Sequence, residues 1–548
     1  MNQTAASSPF GVPVYRSLWF ANLVSHLGFV VQTVGAAWLM TQLAPSPKMV
    51  ALVQTSNTLP IMLLALLAGA IADSFDRRLV MLVALGIMLI GSLVLAVLTA
   101  CGWVTPWLLL ACTFLIGCGM ALRNPAWQAT VGEIVPKPML ATAITYNSIA
   151  FNVARSGGPA IGGAIVAVAG SAMAFAVSCV SYLSLATALL RWKPAPKPAD
   201  LPPERLGSAL ASGLRYFAMS PPLLRLLVRS ALFAFASSAI SALMPVIARD
   251  LMGGGALMFG LLLGAFGAGA VGGAFVTVRL RRHMGGEAIM AIASLVLAVG
   301  AAVSAWSTTI FLTLPALMLA GLGWILGMAI LNAVIQLATP RWIVARAIAI
   351  QQTATFGGMA AGGYCYGHIA DGYGIAIALA ASAVLQLGVM LVGPLTRLPE
   401  VDAVNLEPSS HWSSPVPAVP VEGRDGPMAV SLTYRVEEAR IAEFLATMRD
   451  WRRVRRRDGA RRWRLYRDLA DPQVWIERYE VANWHEYARH NQRRTHDDGD
   501  LRERILALQV GGYVPLVHRE LEIVPARGGL RADVGTPDLP PVLSPPTE

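Results

Sequence analysis

Residues 61–100 read IMLLALLAGAIADSFDRRLVMLVALGIMLIGSLVLAVLTA, two apolar runs on either side of one short charged segment. Each run is long enough to cross the roughly 30 Å hydrocarbon core of a bilayer as an α-helix. The runs lack the polar alternation of barrel strands, and lipid admits only elements whose backbone hydrogen bonds are closed. The stretch therefore predicts an all-α membrane bundle.

Twelve apolar runs of this kind are predicted, in two groups of six separated by a Pro-rich, basic connection. They lie near residues 17–40, 50–72, 79–101, 107–128, 140–166, 171–191, 226–249, 257–279, 287–305, 310–337, 347–369 and 374–394. A bundle divided into two six-helix halves is typical of transporters that bind their substrate between the halves, near the membrane midplane.

The charges divide the chain into two different parts. Residues 1–398 contain 21 Lys/Arg and 8 Asp/Glu, whereas residues 399–548 contain 22 Lys/Arg and 24 Asp/Glu. The net charge of +11 therefore arises in the apolar part, and the tail is slightly acidic. This excludes a single soluble globule, and we expect no nucleic-acid partner.

Positive charges in the loops predict the orientation, because cytoplasmic loops carry an excess of Lys and Arg. One side of the predicted bundle carries nearly all of them, and the opposite loops carry only Lys48 and Arg249. We expect a multi-pass protein of the bacterial inner membrane with both termini in the cytoplasm. The residues on the positive side are Arg16, Arg77, Arg78, Lys137, Arg191, Lys193, Lys197, Arg205, Arg215, Arg279, Arg281, Arg282, Arg341, Arg346 and Arg397.

Six segments are predicted from these patterns. They are an N-terminal six-helix half (1–192), a cytoplasmic central loop (193–223), a C-terminal six-helix half (224–398), a linker (399–426), a ferredoxin-like cytoplasmic domain (427–526) and a disordered tail (527–548).

The segment GAIADSFDRR between spans two and three resembles the signature loop of the major facilitator superfamily, Gly-x-x-x-Asp-x-x-x-Arg-Arg/Lys. In that family the loop latches the two halves in the outward-facing state, and the resemblance implies this role here. Ser74 departs from the usual basic residue and Asp76 from the usual Gly. The alternative is a charged turn without a latch function. The candidate latch residues are Gly69, Asp73, Asp76, Arg77 and Arg78.

Span five contains NVARSGGPAIGG at residues 152–163, in which a helix-kinking Pro lies among glycines that allow close helix packing. This resembles the Gly-Pro-x-x-Gly motif of facilitator-superfamily antiporters, which is thought to seal the bundle against proton leak. The alternative is a kink without a role in transport. The candidate residues are Arg155, Gly157, Gly158, Pro159, Gly162 and Gly163.

Polar residues within the spans are few and are candidates for the cavity or for proton coupling: Asn22, His26, Gln32 and Arg123. His26 can shuttle protons, although a lone His is often only hydrogen-bonded, and Arg123 can instead reach the membrane interface. Its Gly-rich surroundings resemble the span-four basic residue linked to proton coupling in the family's exporters. No Asp or Glu lies deep in a predicted span.

The sequence predicts no cofactor or metal. The five cysteines form no Cys-x-x-Cys or Cys/His arrangement, and no GxxxxGK[ST] motif is present. We therefore expect an ion gradient, by default the proton gradient, as the energy source.

The tail predicts the order β-α-β-β-α-β of a ferredoxin-like unit. It resembles the dimeric α+β barrels of antibiotic-biosynthesis monooxygenases, with Trp484, His485 and His490 near the start of the second helix. The resemblance leaves two interpretations. The tail is either an interaction or regulatory domain, able to dimerise, or an enzyme that acts on the cargo.

The two parts together resemble a subgroup of facilitator transporters that includes enterobactin-type siderophore exporters and transmembrane secretion effectors. The resemblance implies a secondary active exporter of a small-molecule cargo, such as a siderophore, a drug or another amphipathic metabolite, through proton-coupled antiport. The alternatives are a membrane-tethered enzyme and a non-transporting receptor or scaffold.

Overall fold

The computed structural model describes residues 8–44, 46–193, 206–340, 342–399, 417, 419, 421, 425–492 and 495–522. The chain forms two compact units. The first unit contains residues 1–213, 220–337 and 344–399, and the second contains 214–219, 338–343 and 400–548. The predicted disordered tail, 527–548, and most of the predicted linker, 399–426, lie outside the described residues.

The first unit is a bundle of long helices. Its first half contains α1 (Pro13–Leu43), α2 (Pro47–Ser74), α3 (Arg77–Ala100), α4 (Pro106–Ile134) and α5 (Leu140–Arg191), and α6 (Leu206–Ala218) follows. Its second half contains α7 (Pro221–Val246), α8 (Ala256–Leu280), α9 (Gly286–Trp306), α10 (Ile310–Leu337), α11 (Val344–Tyr373) and α12 (Ile375–Val392).

Residue types at the ends of the helices explain where several of them begin. A proline lies in the first turn of α1, α2, α4 and α7, where its missing N–H costs no hydrogen bond. Asp76 caps α3 by accepting a hydrogen bond from the Arg78 N–H at 2.8 Å. Thr105 caps α4 in the same way.

Helix α5 contains two predicted spans in 52 residues, with Gly170 at φ 77° between them. A straight helix of that length would extend about 78 Å, far more than one bilayer crossing. The left-handed backbone at Gly170 divides it, because glycine adopts positive φ at little cost.

Ten of the described helices are long and apolar enough to cross a membrane, whereas the sequence predicts twelve spans. The difference has two causes. Helix α5 takes in two predicted spans, and α11 is as long as its neighbours but carries polar residues such as Gln351, Gln352, His368 and Asp371. The prediction of a helical membrane bundle is confirmed.

The described residues of the second unit from 425 onward form a four-stranded sheet and three helices. The elements are β1 (Met428–Arg435), α13 (Ile441–Arg457), β2 (Arg461–Arg467), β3 (Val474–Val481), α14 (Trp484–Gln492), α15 (His496–Ala507) and β4 (Leu516–Leu521). The strand order is β2-β3-β1-β4 and every pair is antiparallel. This is the order of a split β-α-β unit.

One face of this sheet forms the core of the second unit. The buried residues alternate along β1 and β3, as period-two patterning requires. Tyr434 and Trp475 pack against Phe444, Met448 and other apolar residues of the helices. The four strands of the predicted β-α-β-β-α-β order are present.

Two short segments from between the bundle helices belong to the second unit. Tyr216, from the segment 214–219, lies under the guanidinium of Arg457, whose carbon is 5.2 Å from the Tyr216 ring centroid. Tyr216 also meets Trp342, from the segment 338–343, edge-on, with 5.7 Å between the ring centroids. Burial raises the pKa of the Tyr216 hydroxyl well above its usual value. Tyr216 is therefore buried within the second unit.

Candidate functional site

The two halves of the bundle meet at one end of the helices, which we call the closed end (Thr41, Ser46, Lys48, Arg249 and Asp371). Ser46 donates a hydrogen bond to Asp371 Oδ1 at 2.5 Å, and Arg249 Nη1 donates to the Thr41 carbonyl at 2.9 Å. Each contact joins the first half to the second. The closed end contains Lys48 and Arg249, so it lies opposite the Arg-rich loops.

Helices α2 and α11 pack tightly toward this end. A Cβ added at Gly367 would lie 2.6 Å from the Ala51 Cβ and 3.3 Å from the Lys48 Cα. The hydroxyl of Thr55 donates to the Ala360 carbonyl at 3.1 Å. Glycine in α11 therefore allows backbone contact between the halves.

The glycines of the span-five motif make a second close contact between the halves. A Cβ added at Gly163 would lie 2.7 Å from the Gly260 Cα, so α5 and α8 touch at backbone distance. Gly158 and Gly162 instead pack on Val30, Val31 and Val34 of α1. Gly157 has no atom within 4 Å of its added Cβ. The motif therefore contains both contact positions and open ones.

A cavity of about 190 Å³ lies between the halves, beside this contact. Arg155, which is half-buried, is its only charged residue among the described lining residues. The lining residues are Val30, Gln54, Arg155, Pro159, Ser237, Ser238, Ser241, Leu263, Phe266, Gly267, Leu297, Trp324 and Met359. The cavity thus combines one cation, several hydroxyl or amide groups and an aromatic wall.

Most of the polar and aromatic lining residues were not predicted from the sequence. Ser237, Ser238 and Ser241 recur at helical spacing in an apolar span, which is a usable signal. Gln54 and Trp324 gave no such signal, because the face that a buried helix turns to a cavity depends on its neighbours.

Arg123 lies inside the first half, in contact with the helix that carries His26. Its side chain is 1% exposed. Nη1 donates to the Ser25 hydroxyl at 2.6 Å, and Nη2 lies 3.2 Å from His26 Nδ1 and 3.3 Å from Met120 Sδ. The predicted candidates Arg123 and His26 are therefore brought together, although neither lines the cavity.

The contact fixes the protonation state of His26. A guanidinium has only donors, so His26 Nδ1 must accept and therefore carries no proton. Protonating that nitrogen would set two cations against each other at 3.2 Å. Arg123 and a doubly protonated His26 cannot keep this contact.

The other two polar candidates in α1 are also buried. Gln32 Oε1 accepts from the Ser92 hydroxyl at 2.6 Å and the Tyr182 hydroxyl at 3.0 Å. Asn22 is 2% exposed, and its Oδ1 has no hydrogen-bond partner in the part of the chain that the structure describes. Neither residue lines the cavity, and Gln32 joins α1 to α3 and α5.

The charged segment after α2 is tied to other helices of the first half. Arg77 Nη1 donates to Glu133 Oε1 at 2.8 Å and to the Ala129 carbonyl at 3.2 Å. Arg78 donates to the carbonyls of Leu189 and Leu190, both at 2.8 Å. Gly69 has no atom within 4 Å of its added Cβ.

The segment also contains two aspartates, Asp73 and Asp76. The Asp73 side chain lies outside the described part of the chain, and Asp76 is used as the cap of α3. Glu133, the partner of Arg77, was not identified from the sequence because it follows the predicted end of span four.

The second half has its own ion pair near the start of α9. Arg229 Nη1 lies 2.7 Å from Glu287 Oε2 and also donates to the Thr396 carbonyl at 3.3 Å. Glu287 Oε1 accepts from the Leu398 N–H at 2.5 Å. The pair joins α7, α9 and the chain that follows α12.

Comparisons with known proteins agree with this architecture. A family model described as transmembrane secretion effector matches residues 4–527. The staphyloferrin A transporter of Staphylococcus aureus is 23% identical over 48% of this chain and 67% of its own. The multidrug efflux pump Tap of Mycobacterium tuberculosis is 29% identical over 36% of this chain and 49% of its own. Macrolide efflux protein A of Streptococcus pyogenes is 23% identical over 46% of this chain and 66% of its own. The chain thus matches about half to two thirds of these relatives.

Solved structures share the fold at low sequence identity. The nucleoside transporter NupG has a TM-score of 0.56 at 14% identity and covers 70% of this chain and 100% of its own. A bacterial homolog of the human lysosomal transporter Spinster has a TM-score of 0.52 at 15% identity, covering 71% and 96%. The family match spans nearly the whole chain, and the protein therefore belongs to the transmembrane secretion effector family of major facilitator superfamily transporters.

Proposed function

We propose that the protein exports a small amphipathic molecule that carries an anionic group, by alternating access of the two halves. The observation that carries this proposal is Arg155, the one charge among the described residues that line the cavity between the halves. An anion placed there would gain a charge-assisted contact in a region of low dielectric constant.

The proposal includes twelve membrane crossings. The ten apolar helices supply nine single crossings and α5, which Gly170 divides into two. Helix α11 would supply the twelfth because it is as long as its neighbours and its glycines pack against α2 and α7. The excess of Lys and Arg in the loops on one side supports a cytoplasmic position for these loops and both termini in a bacterial cell.

With this orientation the closed end faces outward. The Ser46–Asp371 and Arg249–Thr41 contacts would then seal the cavity from the outside. The structure would correspond to the state that loads cargo from the cytoplasm. Export requires these contacts to break once the cargo has bound.

The relatives support a small organic cargo. Their names give staphyloferrin A, macrolides and several drugs as the molecules that they move. Phe266, Trp324 and Met359 offer apolar and aromatic surface for such molecules, and Ser237 and Gln54 offer hydrogen bonds. A siderophore of the type moved by the enterobactin exporters fits this chemistry.

Proton coupling is proposed to run through His26 and Arg123. Proton uptake by His26 would break its contact with Arg123, and the freed guanidinium would alter how α4 packs on α1. The described groups that face His26 are Arg123 from α4 and the Phe151 ring from α5, at 5.7 Å between centroids. The latch role of Asp73 stays a separate prediction.

The test uses everted membrane vesicles and a labelled siderophore or drug. Arg155→Gln should lower uptake of an anionic cargo by about tenfold, since a charge-assisted hydrogen bond contributes about 1.5–3 kcal/mol. Arg155→Lys should keep part of the uptake because it keeps the charge. Equal uptake by wild type and Arg155→Gln would refute the site.

A separate measurement addresses the energy source. Collapsing the proton gradient should abolish uptake into the vesicles, and uptake that persists would refute proton coupling alone. Asp73→Asn should lower transport at unchanged protein level in the membrane. Full activity of this variant would remove the latch from the proposal.

We propose a binding rather than an enzymatic role for the second unit. His490 is 2% exposed, its Nε2 lies 3.1 Å from Arg455 Nη1, and its ring packs beside Tyr479. A histidine held in this way is poorly placed to reach a substrate. The monooxygenase-like alternative is therefore not favoured, and dimerisation through this unit stays a prediction.

A further inference from the structure

The second unit contains a cavity of about 160 Å³ that the proposed transport function does not use. It lies on the helix-covered side of the sheet, between residues of β1, β3 and β4 and residues of all three helices. Every lining residue belongs to the second unit, so the cavity is complete within it.

The inner wall of this cavity is aromatic. Tyr434, Trp451, Tyr479 and Tyr487 line it, with the apolar side chain of Ile505 beside them. The Tyr434 hydroxyl is held by Glu477 Oε2 at 2.6 Å, and burial raises its pKa well above the usual value. The wall therefore presents neutral rings that a flat apolar ligand can stack on.

Arg455 forms the buried base of the cavity and is already neutralised. Its Nε donates to Glu477 Oε1 at 3.0 Å, and both side chains are at most 3% exposed. Its guanidinium carbon lies 4.7 Å from the Trp451 ring centroid and 4.6 Å from that of Tyr479. Arg455 therefore fixes the rings and offers little free charge to a ligand.

Two further arginines line the cavity without a carboxylate. Arg519 Nε donates to the Tyr487 hydroxyl at 2.7 Å, and Arg502 lies exposed on α15. Neither forms an ion pair within the described residues, and no Asp or Glu is among the lining residues. Glu520, the neighbour of Arg519, pairs instead with Arg478 at 3.1 Å. Among the described residues, the rim of the cavity is thus cationic and has no counter-ion.

We infer that this cavity binds a small monocyclic aromatic carboxylate. An apolar cavity of about 150 Å³ accommodates benzene, so the volume suits one ring. The ring would stack on the aromatic wall, and the carboxylate would accept hydrogen bonds from Arg519 and Arg502. This inference does not depend on what the bundle exports.

Equilibrium dialysis of the full-length protein in detergent with labelled benzoate or salicylate tests the inference. One ligand should bind to the second unit of each chain, and uncharged benzamide should bind there at least about tenfold more weakly. Arg519→Gln and Arg502→Gln should each weaken benzoate binding by a similar factor. Val517→Trp should abolish it by filling the cavity, and because Val517 is 38% exposed the change need not disturb the fold.

Two matched controls separate this cavity from other sites. Arg504 lies on α15, like Arg502, but does not line the cavity, so Arg504→Gln should leave benzoate binding unchanged. Arg155→Gln removes the cation of the bundle cavity, so any benzoate held there is lost in this variant while binding to the second unit remains. Binding lost only in Arg155→Gln, equal binding of benzamide, or no binding at millimolar benzoate would each overturn the inference.

Discussion

Arg123 and Arg155 are both arginines within predicted spans, but their surroundings differ. Arg155 lines the cavity between the halves, whereas Arg123 is enclosed within the first half by Ser25, His26 and Met120. Burying a charge costs several kcal/mol unless it is paired and hydrogen-bonded. The contacts described for Arg123 include no carboxylate, so hydrogen bonds to neutral groups offset the cost of burying its charge.

The His26 contact makes a prediction about pH. In wild type, transport should depend on pH over the range in which His26 takes up its proton, because a protonated His26 repels Arg123. His26→Gln can still accept a hydrogen bond from Arg123 but cannot take up a proton. Its transport should be nearly constant over the same range. The comparison is made on initial rates at several pH values, and an unchanged pH profile in the variant would contradict the role of His26.

The contact between Gly163 and Gly260 predicts a sharp difference between neighbouring glycines. Gly163→Ala inserts a methyl group 2.7 Å from the Gly260 Cα and should weaken the contact of α5 with α8 by about 1–3 kcal/mol. Gly157→Ala, in the same motif, meets no atom within 4 Å and is the control. Transport and thermal stability should fall in the first variant only. Equal transport and equal thermal stability of the two variants would show that the contact between Gly163 and Gly260 is not needed for either.

At the scale of elements, α5 shows how one residue sets the path of the chain. The apolar pattern predicts two spans ending and beginning between 166 and 171, and the structure makes the turn at Gly170 without a loop. The open space around Gly170 means that sterics do not demand a glycine there. Glycine is required there by the positive φ of the backbone.

This gives a prediction for Gly170→Ala. The substitution should destabilise the protein by about 1–3 kcal/mol, because φ 77° with ψ 171° is a backbone conformation that a residue with a Cβ rarely adopts. Gly86→Ala in α3 also meets no atom within 4 Å, but its backbone is helical, so it should stabilise slightly. Thermal unfolding of both variants in detergent measures the difference. A lower midpoint for Gly86→Ala than for Gly170→Ala would contradict the explanation.

At the scale of the whole molecule, the closed end predicts a conformational readout. Ser46→Cys combined with Asp371→Cys should form a disulfide in the absence of cargo, because the two side chains are in hydrogen-bond contact. The cross-link should stop transport, and reduction should restore it. Mass spectrometry of the cross-linked peptide identifies the bond, and wild type treated with the same oxidant controls for the native cysteines. Unimpaired transport by the cross-linked protein would contradict alternating access at this end.

The sequence predicted the bundle and the tail strands because length, apolarity and alternation depend only on local pattern. It located Arg155 and the span-five glycines through a motif. It did not identify Gln54 and Trp324 as cavity residues, because which face a buried helix turns inward is decided by packing. Likewise Tyr216 reads as part of a central loop, and its place in the second unit depends on Arg457 far along the chain.

That placement has a consequence for how the protein is made. The segments 214–219 and 338–343 leave the ribosome before the residues that cover them, so Tyr216 and Trp342 wait for Arg457 to be synthesised. Because domains generally fold from the N-terminus as they emerge, the bundle can be inserted while the second unit is still incomplete. A chain interrupted before residue 428 would leave these aromatic side chains without the partners that bury them. Burial of Tyr216 therefore requires synthesis of the C-terminal unit, although Tyr216 itself is made much earlier.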